Sequence, residues 1–296
     1  MTLNITIASR WLMAQSSDFR LTSSVDGVVS ETSQKQVVLQ YAGWSGLVCY
    51  TGVARFGNHD TAAWLTDVLT HDVGQRSPEE IVKKLVSRGS DWLRQVPAAA
   101  RHHTFTMITY EGGTPYVYMI SNVENPNEAP QAAAADKLFC TRARARRPRC
   151  LVTGWAPSVL EAQRQSLLGL IAEDPPPEQL REAVAMASRA ASGRAQGTVG
   201  QSCVVAHLRP DGSGEAQVFG NLVEEFLPTM ITQGYNVASP VPAVLVAAGS
   251  TNPHRLVGAT WNANGVVAPM VGAYRDIAKQ SGDGWPLSTS LSDGDK

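Results

Sequence analysis

Two runs settle the architecture: Lys35-Gln36-Val37-Val38-Leu39-Gln40-Tyr41 and Gly46-Leu47-Val48-Cys49-Tyr50-Thr51-Gly52, joined by Ala42-Gly43-Trp44-Ser45. β-Branched or aromatic residues stand at Val37, Val38 and Tyr41 in the first run and at Val48, Tyr50 and Thr51 in the second, and the Gly-containing joint reads as a tight turn between antiparallel strands. Upstream, Leu3, Ile5 and Ile7 alternate with Asn4 and Thr6, the period of a half-buried strand. Downstream, Asp60 is placed to cap a helix over 61–69. Ser77-Pro78-Glu79-Glu80 opens a second with an N-cap, an early proline and a capping-box glutamate. Thr104–Tyr110 and Pro115–Ile120 form a hairpin across Glu111-Gly112-Gly113, and 138–140 and 150–154 read as strands. Helices over 157–172 and 177–192 are divided by Asp174-Pro175-Pro176-Pro177, because proline cannot continue a helix. A hairpin of Ser202–Leu208 and Glu215–Phe219 follows. Strands, two helices, strands, two helices, strands is the order of an α+β fold. It suggests a four-layer αββα sandwich, two antiparallel sheets flanked by helix pairs.

The length of 296 residues exceeds that order, which is complete near residue 220. The sequence therefore divides into an αββα domain over 1–220, a partly β extension over 221–279, and a Ser-, Gly- and Asp-rich tail over 280–296 expected to be disordered. Within the extension, Val223–Leu227 with Met230 and Ile231 suggests a short helix and Ala243–Ala248 a buried strand. A hairpin is expected around Asn262-Ala263-Asn264-Gly265.

Composition excludes several classes. Charged residues make up 17% and the net charge is -1, so no global field draws the chain to nucleic acid or an anionic membrane. No apolar run approaches the roughly 20 residues of a membrane-spanning helix, and the first residues lack the pattern of a secretion signal, so a cytoplasmic location is expected. Four cysteines (Cys49, Cys140, Cys150, Cys203) have no zinc-like spacing, and six histidines, including His102-His103, show none either. No metal and no cofactor is expected.

The chemistry concentrates near the start. Thr2 would follow a removable Met1, Asp18 lies in Ser17-Asp18-Phe19-Arg20, Lys35 leads a strand, and Gly52 ends one; Val152-Thr153-Gly154-Trp155 comes later. In this order and spacing the chain resembles the proteasome β-subunit branch of the N-terminal-nucleophile (Ntn) hydrolases, and is similar to their bacterial homologues that assemble into peptidase rings. The likeness covers about 1–220. It implies a threonine-type hydrolase cleaving peptide or amide bonds, with Thr2, Asp18, Lys35, Gly52 and Thr153 as its catalytic set. It also implies a homo-oligomer, of which a ring is one form. A terminal threonine can carry nucleophile and base on one residue, because an α-amine with a pKa of about 7.7–8.0 is partly unprotonated near neutrality. A neighbouring cation lowers that proton affinity, and a glycine N–H is an unobstructed oxyanion donor.

Blander readings stand beside these: Asp18 as a turn cap, Lys35 as a solvated edge residue, Gly52 as a strand end. The family also places an aspartate and a serine after its fourth helix. Here Gln196–Ser202 has no carboxylate, leaving Thr198 or Ser202 as hydroxyl partners. The alternative function is a catalytically inactive, proteasome-like scaffold for assembly or binding. The run Arg142–Arg149 is either a site for nucleic acid or acidic peptide or, more in keeping with the balanced charge, a solvated hairpin or subunit contact.

Overall fold

The computed structural model describes residues 2–23, 27–30, 33–70, 76–123, 135–220, 228–237, 255–262 and 267–273. The stretches 223–227, 243–248 and 280–296, for which a helix, a strand and a disordered tail were expected, lie outside the described residues, as does Met1. Met230 and Ile231, expected to belong to that helix, lie instead in a strand over Thr229–Thr232.

The first half of the chain runs β1 (Leu3–Ala8), β2 (Met13–Asp18), β3 (Leu21–Ser23), β4 (Gly27–Ser30), β5 (Gln36–Tyr41), β6 (Trp44–Gly52), β7 (Arg55–Phe56) and β8 (His59–Asp60). Helices α1 (Thr61–Thr70) and α2 (Pro78–Leu93) come next, followed by β9 (His103–Glu111), β10 (Thr114–Ser121), β11 (Phe139–Arg144) and β12 (Arg149–Gly154). After them come α3 (Glu161–Ala172), α4 (Pro177–Arg194), β13 (Cys203–Leu208), β14 (Gly214–Phe219), β15 (Thr229–Thr232), β16 (Tyr235–Asn236), β17 (Arg255–Trp261) and β18 (Val267–Ala273).

Among the described residues the strands gather into two seven-stranded sheets and two two-stranded ribbons. The first sheet has the order β12-β1-β2-β13-β14-β17-β18, the second β11-β10-β9-β6-β5-β15-β16. Met13, Val204 and Ala206 of the first sheet meet Val38, Leu47 and Ile108 of the second in a shared, fully buried core. Residues of alternate parity point the other way, as the two-residue period requires. On the first sheet Ile5, Ile7 and Val205 pack against Leu167, Ile171, Leu180 and Val184 of α3 and α4. On the second, Val48, Phe105 and Tyr118 pack against Leu65 and Leu69 of α1 and Ile81 and Leu85 of α2.

Helix starts follow the local chemistry. Asp60 Oδ1 accepts from the Ala62 and Ala63 N–H groups at 3.0 and 3.1 Å. The Ser77 Oγ accepts from Glu80 N while Ser77 N donates to Glu80 Oε2 at 2.8 Å, a reciprocal capping box.

The expected αββα sandwich of two antiparallel sheets flanked by helix pairs is corrected to a more sheet-rich α+β fold. The second sheet is mixed: β15 runs parallel to β5, in register from Thr229↔Val37 to Thr232↔Gln40. The ribbons β3–β4 and β7–β8 are additional, and only four α-helices accompany all these strands among the described residues. The physical reason is the reach of sequence patterning. Strands of two to four residues are too short to show a period, and a parallel partner arrives through a long crossover that leaves no turn signal beside it.

Candidate active site

One end of the sandwich collects the residues singled out in the sequence. Asp18, the last residue of β2, is completely buried. Its Oδ1 accepts from Leu3 N at 3.0 Å and from the Lys35 ammonium at 3.1 Å. Its Oδ2 accepts from Arg20 N at 3.2 Å and Gly200 N at 3.0 Å. Lys35 is equally inaccessible and also donates to Arg20 O at 2.6 Å. Burying a charged pair is tolerated only when the remaining lone pairs and protons find partners, and the backbone donors around Asp18 supply that condition. The backbone of the residue following Thr2 and the Lys35 ammonium thus share a single carboxylate oxygen.

Thr2 itself is buried, and its carbonyl accepts from Trp155 N at 2.9 Å. Gly154 makes this possible. Its φ is +83°, and a Cβ there would stand 1.8 Å from Thr2 O. The same Cβ would stand 3.1 Å from Thr51 Cγ2, so the residue preceding Gly52 reaches this corner too. A second tie between the sheets is the bond from Asn4 Nδ2 to Tyr50 O at 3.3 Å. Gly52 has φ +102°, and a Cβ on it would meet His102 O at 1.9 Å, so no other residue fits that strand end. Thr153 sits between Val152 and Gly154 opposite Asn4, with an inaccessible Oγ1 that has no partner among the described residues. The Lys35–Asp18 pair, the Thr2 backbone, the end of β6 and Thr153 are therefore brought to one place.

Other candidates are placed elsewhere. The Thr198 hydroxyl donates to Ala195 O at 2.7 Å and is spent on the turn after α4. Ser202 packs against Gly220. Cys140 joins the core under α1 and α2 whereas Cys150 joins the core under α3 and α4, so the two thiols do not face each other. Burial raises both to about 11, which keeps them protonated. Sequence reasoning missed Gly200, whose N–H replaces a side chain at Asp18, and Gly154. Their signals were Val199-Gly200 and Thr153-Gly154, glycines next to positions already under scrutiny.

A cleft of about 520 Å³ opens beside Lys35, walled by Val37, Tyr50, Ala62 and Leu65 with Thr66 and Asp67 also lining it. Burial raises the Tyr50 phenol well above its ordinary range, and the Asp60 charge adds to that, so the ring presents a neutral hydroxyl. Behind it lies a box of aromatic rings: His103 packs on Trp92 at 5.3 Å and on Phe105 at 4.5 Å between centroids. His103 is wholly buried with neither ring nitrogen partnered among the described residues, and desolvation lowers it to about 3.

Fold and site together define a two-sheet α+β protein with a buried carboxylate–ammonium pair beside a threonine at the head of its first strand. No family model matches the chain, and no curated protein matches it. The solved structures similar to it include ancestral β-subunits. One is Anbu from Yersinia bercovieri, 14% identical with a TM-score of 0.47, covering 69% of this chain and 81% of that one. Another is a Gly-1 mutant of Anbu from Hyphomicrobium sp. strain MC1, 13% identical with a TM-score of 0.47, covering 71% and 83%. The expected likeness to the proteasome β-subunit branch of the Ntn hydrolases is thereby corrected: the neighbours found are ancestral β-subunits, a different subfamily. Their low identity transfers no residue role to this chain, and the comparison supports neither threonine hydrolysis nor inactivity. No helix among the described residues is long and apolar enough to cross a membrane.

Proposed function

We propose that the chain hydrolyses peptide or small amide bonds with Thr2 as nucleophile, once the bond preceding Thr2 has been cut. The observation that carries this reading is the Asp18 carboxylate accepting at once from Leu3 N and from the Lys35 ammonium. That arrangement fixes a positive charge beside the backbone that bears the nucleophile. The freed α-amine of Thr2 takes the proton from its own Oγ, as a base within the same residue. The nearby cation keeps that amine available in its neutral form near pH 7. Thr2 Oγ attacks the carbonyl carbon, the Gly52 N–H receives the developing oxyanion, and the amine proton passes to the leaving nitrogen. Water, activated by the same amine, then hydrolyses the ester and restores Thr2. The Thr153 hydroxyl, with no partner among the described residues, is the group available to steady the ammonium form. A homo-oligomer is the proposed assembly.

The second reading, a non-catalytic scaffold, is favoured by Gln196–Ser202, where Asp18 meets only the Gly200 N–H and Thr198 is spent on a turn. Intact mass and a threonine-directed β-lactone or epoxyketone probe discriminate between them. Catalysis requires loss of Met1 and one adduct on the wild-type chain, and none on Thr2→Ala. A chain that starts at Thr2 and takes up no probe leaves the scaffold.

A further inference from the structure

The far end of the sandwich carries a separate feature. Sequence alone left Arg142–Arg149 without aromatic company, but the fold brings some to it. Arg149 of β12 pairs with Ala8 of β1, next to the β1–β2 turn that holds Arg10 and Trp11 at its tip. The turn is rigid: Ser9 Oγ accepts from Trp11 N at 3.2 Å and from Leu12 N at 3.1 Å. Arg10 stacks over the Trp11 ring at 4.1 Å, and Trp11 remains 49% exposed. Between β11 and β12, Ala145 is buried in the core between the sheets and donates its N–H to Pro115 O at 3.0 Å. That anchor leaves Arg144, Arg146, Arg147 and Arg149 exposed around it.

Arg142 is a different case. It pairs with Glu79 at 2.8 Å and with Glu111 at 2.6 Å and stacks on Tyr116 at 3.9 Å, so it belongs to the structure and occupies both carboxylates. Among the described residues, Arg10, Arg144, Arg146, Arg147 and Arg149 make no ion pair, and five cations with one exposed indole share a corner of a chain whose net charge is -1.

We propose that this corner binds single-stranded nucleic acid, with the arginines on its phosphates and a base stacked on Trp11. All five cations are guanidiniums, whose planar fork matches phosphate oxygens. An exposed indole gives an unpaired base a face to stack on, which a duplex does not offer. The corner is built from two turns and two sheet edges, so no helix enters a major groove and recognition is independent of sequence. Nor do the described residues of this corner include an amphipathic helix of the kind that lies in a membrane surface. The proposal is independent of hydrolysis, since Thr2 lies at the opposite end of β1.

The test is fluorescence anisotropy of a labelled oligo-dT of about 20 nucleotides between about 50 and 200 mM salt, the range over which counterion release is measurable. Five phosphate contacts give a slope of log affinity on log salt of about -3.5, hence about a hundredfold loss across that range. Arg144→Ala/Arg147→Ala/Arg149→Ala is expected to bind about a hundredfold more weakly at about 0.1 M salt, with the slope reduced to about -1.4. Trp11→Ala loses about tenfold with the slope unchanged, because stacking releases no ions. Thr2→Ala and Arg94→Ala bind as wild type. The altered arginines and Trp11 are exposed, and unchanged thermal melts confirm that the variants fold. The proposal is overturned by no binding at low salt, by an arginine variant with unaltered affinity and slope, or by tighter binding to a duplex of equal length. Binding of anionic vesicles or polyglutamate through the same arginines in place of the oligonucleotide also overturns it.

Discussion

Replacing Asp18 by Asn tests the centre of the site through stability alone. The side chain changes by one group, but the carboxylate has a backbone or ammonium donor on every side: Leu3 N and Lys35 Nζ on Oδ1, Arg20 N and Gly200 N on Oδ2. Whichever way the amide is turned, its NH₂ faces two groups that are themselves donors. Lys35, with no accessible side-chain surface, simultaneously loses its carboxylate. Removing one partner of a buried pair costs about 3–5 kcal/mol, and an orphaned buried N–H about 1–3 kcal/mol. The terms overlap, so a loss of about 4 kcal/mol is expected against a total of about 5–15 kcal/mol. Urea unfolding followed by tryptophan fluorescence reads this as a midpoint lower by about 1–2 M at unchanged slope. Lys35→Met in the Asp18→Asn background removes the ammonium that has lost its carboxylate, so the double variant should be less destabilised than the sum of the singles by about 1–3 kcal/mol. A midpoint shift under about 0.3 M, or strict additivity, would refute a buried carboxylate satisfied by four donors.

Gly154→Ala and Gly52→Ala each place a Cβ within 2 Å of a carbonyl oxygen at positive φ. The backbone conformation alone costs about 1–3 kcal/mol, so both should melt well below wild type, and a melt within error of wild type for either contradicts the geometry. For His103, burial lowers the folded value to about 3 from 6.5. Below pH 6.5 the unfolded chain takes up a proton that the folded chain refuses, so this contribution is complete above pH 6.5 and is lost as pH falls toward 3. By pH 5 the loss is about 2 kcal/mol, which His103→Phe abolishes; equal pH dependence of wild type and variant between pH 7 and 5, measured by urea unfolding, counts against a buried neutral imidazole.

Much of the architecture was legible because it is local. The hairpin of β5 and β6, the capping box at Ser77 and the proline break before α4 are each decided by a few adjacent residues. The parallel partner Thr229–Thr232 was not legible, since four residues carry no period and their contact with Val37–Gln40 spans most of the chain. The site divides in the same way. Asp18 and Lys35 announce themselves by type and spacing, but Gly200 acts through its N–H, which every residue except proline possesses. The residue type gives no hint that a backbone group stands where a carboxylate was sought. Trp11 carries no such signal either, because nothing in the sequence places it near Arg149.

The reach of Asp18 has a consequence for the order of events in folding. Its bond to Gly200 joins residues 182 positions apart, while those to Leu3 and Lys35 close loops of 15 and 17. Contacts of such separation form late, because a long loop must be closed before they stabilise anything. On a ribosome, β1, β2 and β5 emerge well before Gly200 exists, so the nascent chain holds Asp18 with its acceptor set unfilled. The end of the sheet that carries Thr2 is completed only after α4 has been made, and this cluster of contacts cannot be assembled on a fragment that stops before Gly200.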